Sequence, residues 1–82
     1  MHNLITSYIN NLSMNDLYSQ ALKQGVNLSE TELMFSYDFI KNNYQNIMNN
    51  PASFNFNDYA GYYSEENFIK ISNLIEKYRR FL

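Results

Sequence analysis

Residues 28–33 have the sequence Leu-Ser-Glu-Thr-Glu-Leu, and this stretch decides the fold because it marks the start of the longest helix. The Ser29 hydroxyl can accept a free backbone N–H of the first turn, and the Glu32 carboxylate can reach back to the start. The two flanking leucines are suited to a hydrophobic staple. A helix is therefore predicted from Glu30 to about Asn49, because Pro51 disfavours helix at the residue before it.

The same pattern occurs in weaker form at two other places. Ser13 is followed three residues later by Asp16, and Ser64 by Asn67, each flanked by apolar residues that can form a staple. These positions predict the starts of a second and a fourth helix. Gly25 is predicted to end the second helix, because glycine tolerates the positive φ of a C-terminal cap.

Apolar spacing supports four helices. A first helix is predicted from one face formed by Leu4, Ile5, Tyr8, Ile9 and Leu12. In the third and fourth helices, apolar residues recur mostly at intervals of three and four, as in helices that pack along their length. The predicted fold class is all-α: a small four-helix domain covering residues 1–82, with two short helices followed by two long antiparallel helices joined by an aromatic-rich loop.

The composition excludes several classes of protein. The chain has 82 residues, no cysteine and a net charge of −2, so disulfides, thiol catalysis, zinc fingers and iron–sulfur clusters are not expected. The sequence has no apolar run that approaches the length of a membrane span, and no signal peptide is visible. We expect a cytoplasmic protein that does not contact a membrane. The many asparagines are typical of a low-GC bacterial genome.

Residue types that support catalysis are scarce. The one histidine, His2, lies where chains usually fray, so it lacks the fixed position that a general base or a metal ligand needs. The acidic pairs Glu30/Glu32 and Glu65/Glu66 lie in first turns, where carboxylates stabilise a helix. The two glycines, Gly25 and Gly61, are too few for a phosphate-binding loop. We predict no catalytic, cofactor-binding or metal-binding residue, no cofactor and no enzymatic activity.

Aromatic residues are concentrated on a second face of the third helix and in residues 51–63, predicted as an irregular loop with at most one helical turn. Aromatic rings are enriched at the centres of protein interfaces. A helix with two apolar faces can also be central in its own core, and the sequence leaves both interpretations open. The interaction hypothesis, with a protein partner or a homodimer, names these contact residues: Phe35, Phe39, Phe54, Phe56, Tyr59 and Tyr62.

A basic patch supports an alternative function, a weak nucleic-acid-associated regulator. Its residues are Lys70, Lys77, Arg79 and Arg80, in the predicted fourth helix. Basic residues at a helix C-terminus also match the helix dipole, and the net charge of −2 gives no general attraction to nucleic acid. A protein-interaction module or accessory subunit is therefore favoured over nucleic-acid binding.

Parts of the sequence resemble a known family. Residues 12–17 (Leu-Ser-Met-Asn-Asp-Leu) and 21–29 (Ala-Leu-Lys-Gln-Gly-Val-Asn-Leu-Ser) look like the YqfT-like family of small proteins from bacilli and relatives. So do residues 50–54 (Asn-Pro-Ala-Ser-Phe) and 63–68 (Tyr-Ser-Glu-Glu-Asn-Phe). The resemblance covers nearly the whole chain and rests on capping and packing patterns. It implies a compact cytoplasmic helical protein of unknown function and supplies no site residues.

Overall fold

The computed structural model describes residues 2–79, without the side chains of residues 2–5, 51, 78 and 79. Within this range the chain forms four α-helices and two 3₁₀ segments and has no strand, so the predicted all-α class is confirmed. The α-helices are α1 (His2–Asn11), α2 (Met14–Lys23), α3 (Glu30–Asn49) and α4 (Glu65–Arg79). The 3₁₀ segments are Pro51–Ser53 and Phe56–Tyr62, both in the aromatic loop, defined here as residues 50–64. No helix in the described range could span a bilayer.

Capping side chains fix where α2 and α3 begin. The Ser13 hydroxyl accepts from the Asp16 N–H at 3.0 Å, and the Asp16 carboxylate accepts from the Ser13 N–H at 3.1 Å. Ser29 and Glu32 make the same pair of bonds at 3.2 and 2.9 Å. Both are full capping boxes, so Asp16 caps more completely than the sequence predicted.

A Schellman motif ends α2. Gly25 has a φ of +83°, the one positive φ among the described residues. The N–H of Val26 donates to the carbonyl of Ala21 at 2.8 Å, and the N–H of Gly25 donates to the carbonyl of Leu22 at 3.0 Å. This pair of bonds satisfies carbonyls that the helix leaves free at its end. The predicted role of Gly25 is confirmed.

The best-buried apolar residues lie in the connections between helices. Leu12, Val26 and Leu28 are the described apolar side chains with the lowest exposure, and Val26 is only 1% exposed. Leu12 lies between α1 and α2, whereas Val26 and Leu28 lie between α2 and α3. In α3 and α4 the apolar residues with described side chains are at best half-buried. The two long helices therefore leave much of their apolar surface incompletely covered.

A lysine holds α1 against α3. The Lys41 ammonium, in the middle of α3, donates to the carbonyls of Ile9 and Asn10 at 2.6 and 3.0 Å. These carbonyls belong to the last turn of α1, where the N–H groups four residues further on are not part of the helix. A positive charge at this end also stabilises the helix dipole. No pattern in the sequence predicts this contact.

The aromatic loop runs back along α3. In the loop, the ring of Phe54 packs near Phe39 in the middle of α3. The ring of Tyr62 stacks on Phe35, one turn closer to the start of that helix. The loop is more regular than predicted, since it contains two 3₁₀ segments. Asn55 caps the longer segment, because its side chain accepts from the N–H of Asn57 at 3.1 Å.

The path of the loop places the starts of α3 and α4 side by side. The Asn67 amide, in the first turn of α4, donates to Oε1 of Glu32 in the first turn of α3 at 2.8 Å. In an antiparallel pair, α4 would begin at the far end of α3, about 30 Å away. Ile47 and Ile75, late in the two helices, line one common cavity. The predicted antiparallel arrangement is therefore wrong, and α3 and α4 run in the same general direction.

Candidate interaction surface and the Glu32 junction

The aromatic side chains predicted as contact residues lie together in one cluster. We define the aromatic cluster as the rings that contact one another between α3, the aromatic loop and α4. Its members are Phe35, Phe39, Phe54, Phe56, Tyr59, Tyr62, Tyr63 and Phe68. Six of these were predicted, and Tyr63 and Phe68 were not among the predicted contact residues. The cluster is continuous because the loop returns along the second apolar face of α3.

Ring geometry within the cluster is specific. Phe35 and Tyr62 stack with centroids 4.0 Å apart and planes 6° from parallel. Phe39 and Tyr59 meet edge to face at 4.8 Å. Such pairs contribute about 0.5–1.5 kcal/mol beyond the burial of their area. The rings thereby hold one another, and the loop, in a fixed position on α3.

The cluster is only partly covered by the rest of the chain. Tyr62 is 55% exposed, and the remaining rings of the cluster are half-buried. Next to Phe35 in α3, Met34 is 51% exposed. The sequence left open whether these rings belong to the core or to a surface. In the structure they do both, because their inner faces pack against one another while the outermost ring faces solvent.

The second notable site is the buried carboxylate of Glu32. Its Oε1 accepts from the Ser29 N–H at 2.9 Å and from the Asn67 amide at 2.8 Å. Its Oε2 accepts from the Ser64 N–H at 2.6 Å. The same Asn67 amide nitrogen donates to the carbonyl of Asn27 at 2.9 Å. We call this group of contacts the Glu32 junction, since one side chain caps α3 and closes the start of α4.

The junction keeps Glu32 ionised. The side chain is 5% exposed, and burial by itself would raise the pKa of the carboxyl. The N–H groups of Ser29 and Ser64 and the amide of Asn67 oppose that effect, and the net result is a pKa below the usual value. The first turns of two helices often form an anion site. Here the negative charge at that position comes from the chain itself.

One phenol contacts the junction from the cluster side. The hydroxyls of Tyr63 and Ser36 form a hydrogen bond of 2.6 Å, and Ser36 lies one helical turn after Glu32. Burial raises the pKa of Tyr63, the bond to Ser36 opposes this, and the charge of Glu32 raises it further. Tyr63 therefore stays protonated and remains available as a hydrogen-bond donor at neutral pH.

The described residues of the predicted basic patch, Lys70 and Lys77, lie on α4 and have polar surroundings or face solvent. Lys70 donates to the carbonyl of Gly25 at 3.1 Å and lies 3.8 Å from the carboxylate of Glu66. Its contacts thus join α4 to the end of α2. The side chain of Lys77 is exposed. The side chain of Arg79 and the whole of Arg80 lie outside the described residues.

Residues that bind metals do not gather in the described part of the chain. Within residues 2–79, no group of three or more His, Cys, Asp or Glu side chains is placed to hold a metal ion. The side chain of His2 is outside the description. The Glu32 carboxylate, the most buried acidic group described, instead accepts hydrogen bonds that join α3 to α4.

Sequence reasoning found the capping role of Glu32 but missed its contact with α4. A signal for it was present. The start of α4 has Ser64 but Asn67 instead of a glutamate three residues later, so its capping box is incomplete. The Ser64 N–H then needs an acceptor from elsewhere. A long-range acceptor cannot be assigned without the fold, because several carboxylates were available.

Comparison with protein-family models, with curated proteins and with solved structures finds no match for this chain. The resemblance to the YqfT-like family therefore stays a prediction.

Proposed function

We propose that this protein is a non-enzymatic interaction module that forms a homodimer through its aromatic cluster. The observation that carries the proposal is the half-covered state of the cluster, with Tyr62 at 55% exposure stacked on Phe35. Tyrosine, phenylalanine and methionine are the residue types enriched at interface centres. A cytoplasmic location is part of this proposal.

Preorganisation supports the use of this surface for binding. The rings are already ordered by contacts with one another, so association would immobilise few side chains. Less side-chain entropy is then lost, and more of the contact energy is retained as affinity. A flexible loop of the same composition would lose much of this advantage.

The chain exposes more surface than a compact monomer of its mass, which leaves area that a second copy can cover. The chain exposes 6006 Å². A compact monomer of its mass, 9.8 kDa, is expected to expose about 5,200 Å². A net charge of −2 gives little repulsion between two copies.

Two tyrosines allow a matched test. Tyr62, in the cluster, and Tyr8, in α1, are both 55% exposed. We expect the wild-type protein to sediment as a dimer at micromolar concentration in analytical ultracentrifugation. Replacement Tyr62→Glu should weaken dimerisation about 30-fold, which corresponds to a loss of about 2 kcal/mol for the two copies of the residue together. Replacement Tyr8→Glu should leave the dissociation constant within about twofold, as for a surface change outside the interface.

Circular dichroism serves as the control for folding, because Tyr62 also contacts Phe35 and Tyr59 within the monomer. Phe35→Ser is a less suitable variant, since that ring contacts four others and its loss would disturb the monomer. A wild-type protein that stays monomeric at millimolar concentration would refute the proposal. Equal weakening by the two tyrosine variants would place the interface elsewhere and would also refute it.

A further inference from the structure

A cavity of about 370 Å³ lies between α2, α3, α4 and the aromatic loop. Its wall includes Ala21 and Val26 beside α3 residue Ile40, together with Ile71 and Ile75 of α4. This volume is within the range of small-molecule sites, and it exceeds twice the roughly 150 Å³ of an aliphatic cavity that binds benzene. Ile40, Ile71 and Ile75 are half-buried, so the cavity is reachable from solvent.

The cavity is poorly suited to water. Although Gln20, Gln24, Ser36 and Tyr63 are among its lining residues, the surface exposed inside it is almost entirely apolar. A stable internal water needs two to four polar partners. An empty apolar cavity destabilises a protein in proportion to its volume. A chain of this size has a small core and correspondingly little stability to lose. These facts favour an apolar occupant.

One polar feature of the wall defines the chemistry of that occupant. Ser36 and Tyr63 both line the cavity, and their hydroxyls form one bond with each other at 2.6 Å. Only one of the two hydroxyl groups donates its proton in that bond. The second O–H has no acceptor among the described residues. A partly buried donor gains from an acceptor, and an oxygen acceptor on a bound molecule would provide one.

Charge decides which acceptor fits. Ser36 lies one turn after Glu32, and Tyr63 precedes Ser64, whose N–H donates to the Glu32 carboxylate at 2.6 Å. A negatively charged ligand group at the two hydroxyls would therefore lie close to a buried negative charge. A neutral carbonyl, ester or alcohol oxygen avoids this repulsion.

We propose that the cavity binds a small uncharged apolar molecule whose single oxygen acceptor accepts a hydrogen bond from the Ser36–Tyr63 hydroxyl pair. The site shares four lining rings with the aromatic cluster, Phe39, Phe54, Phe56 and Tyr63. Its test is nevertheless independent of the dimer, because ligand binding is followed at Ile40, Ile71 and Ile75 and dimerisation at Tyr62.

Two probes of nine carbons test the proposal on the full-length chain: heptyl methyl ketone, which is neutral, and nonanoate, which is charged. Titrations are followed by the isoleucine methyl signals in NMR spectra. We expect the ketone to shift signals of Ile40, Ile71 and Ile75, and nonanoate to bind at least about tenfold more weakly. Absence of methyl shifts up to the solubility limit of the ketone would overturn the proposal. Equal affinity for the two probes would overturn the assignment of the hydroxyl pair.

Variants separate the cavity from the hydroxyl pair. Ala21→Phe places a ring inside the cavity and should abolish ketone binding, whereas Ala52→Phe, an exposed site in the loop, should leave it unchanged. Ala21→Leu serves if the larger side chain prevents folding. The double variant Ser36→Ala/Tyr63→Phe should lower ketone affinity about tenfold and leave nonanoate affinity unchanged or higher. Ketone affinity that is insensitive to Ala21→Phe would refute the site.

Discussion

The side-chain amide of Asn67 donates to the carboxylate of Glu32 at 2.8 Å, across 35 positions of sequence, and this bond joins the first turns of α3 and α4. Both groups are buried, with exposures of 6% and 5%. Because Glu32 also caps α3 through Ser29, the position of α4 depends on the same side chain that begins α3. Stability and its pH response are thus linked at this bond.

Glu32→Gln is expected to destabilise the protein by about 2 kcal/mol at pH 7, because the new amide would place a donor against the Ser64 N–H. Denaturant unfolding measures this loss. Glu30→Gln, an equivalent change at an exposed position of the same turn, should stay within about 0.5 kcal/mol of wild type. Equal effects of the two changes would show that the dipole, and not the junction, accounts for the role of Glu32.

The contribution of Glu32 should depend on pH. Its pKa is lower in the folded state than the ordinary value of 4.5, so its stabilisation is complete above pH 4.5 and is lost as pH falls through the folded-state value. The difference in unfolding free energy between wild type and Glu32→Gln should therefore shrink as the pH falls below about 4.5. Asp16, whose pKa is lowered by the backbone and side chain of Ser13, titrates in both proteins and cancels in the difference. A difference that stays constant from pH 7 to 3 would contradict this account.

Gly25→Ala is expected to destabilise the protein by about 1 kcal/mol through the backbone alone. The φ of +83° is unfavourable for a residue with a Cβ, although an added Cβ would meet nothing within 4 Å. Gly61→Ala is the matched control, since that site is equally open and has no positive φ. It should be neutral or stabilising by up to about 1 kcal/mol. Thermal unfolding distinguishes the two outcomes, and a loss at Gly61 equal to that at Gly25 would disprove the backbone explanation.

Lys41→Met should loosen α1 selectively. Methionine keeps the apolar stem of lysine but removes the charge that donates to the carbonyls of Ile9 and Asn10. We expect a loss of about 1 kcal/mol, seen as faster amide hydrogen exchange in α1 than in α3. Lys23→Met, at an exposed position of α2, provides the comparison and should leave α1 exchange unchanged. Uniformly faster exchange in both helices would instead indicate a global effect.

The sequence predicted local features well and long-range ones poorly. The start of α3 at Glu30 and the end of α2 at Gly25 were predicted because their signals act over a few residues of backbone. The direction of α4 was predicted wrongly, since apolar spacing is the same for parallel and antiparallel neighbours. The direction of α4 is set by the aromatic loop, which returns along α3. That path depends on ring contacts such as the one between Phe39 and Phe54.

The candidate site was predicted in composition but not in arrangement. The six aromatic contact residues do lie in one cluster, and aromatic enrichment was the signal for them. The bond between Ser36 and Tyr63, and the cavity beside it, had no signal in the sequence. Residues 27 positions apart become neighbours only through the path of the chain.

The double use of Glu32 has a consequence for the order in which the chain assembles. The contact with Ser29 closes within one turn and can form as soon as residues 29–32 have left the ribosome. The contacts with Ser64 and Asn67 require more than thirty further residues, and closing so long a segment is slower and entropically unfavourable. Until α4 is synthesised, the Glu32 carboxylate therefore caps only α3. Its remaining lone pairs accept hydrogen bonds from water. The nascent chain completes its fold only when the fourth helix displaces that water.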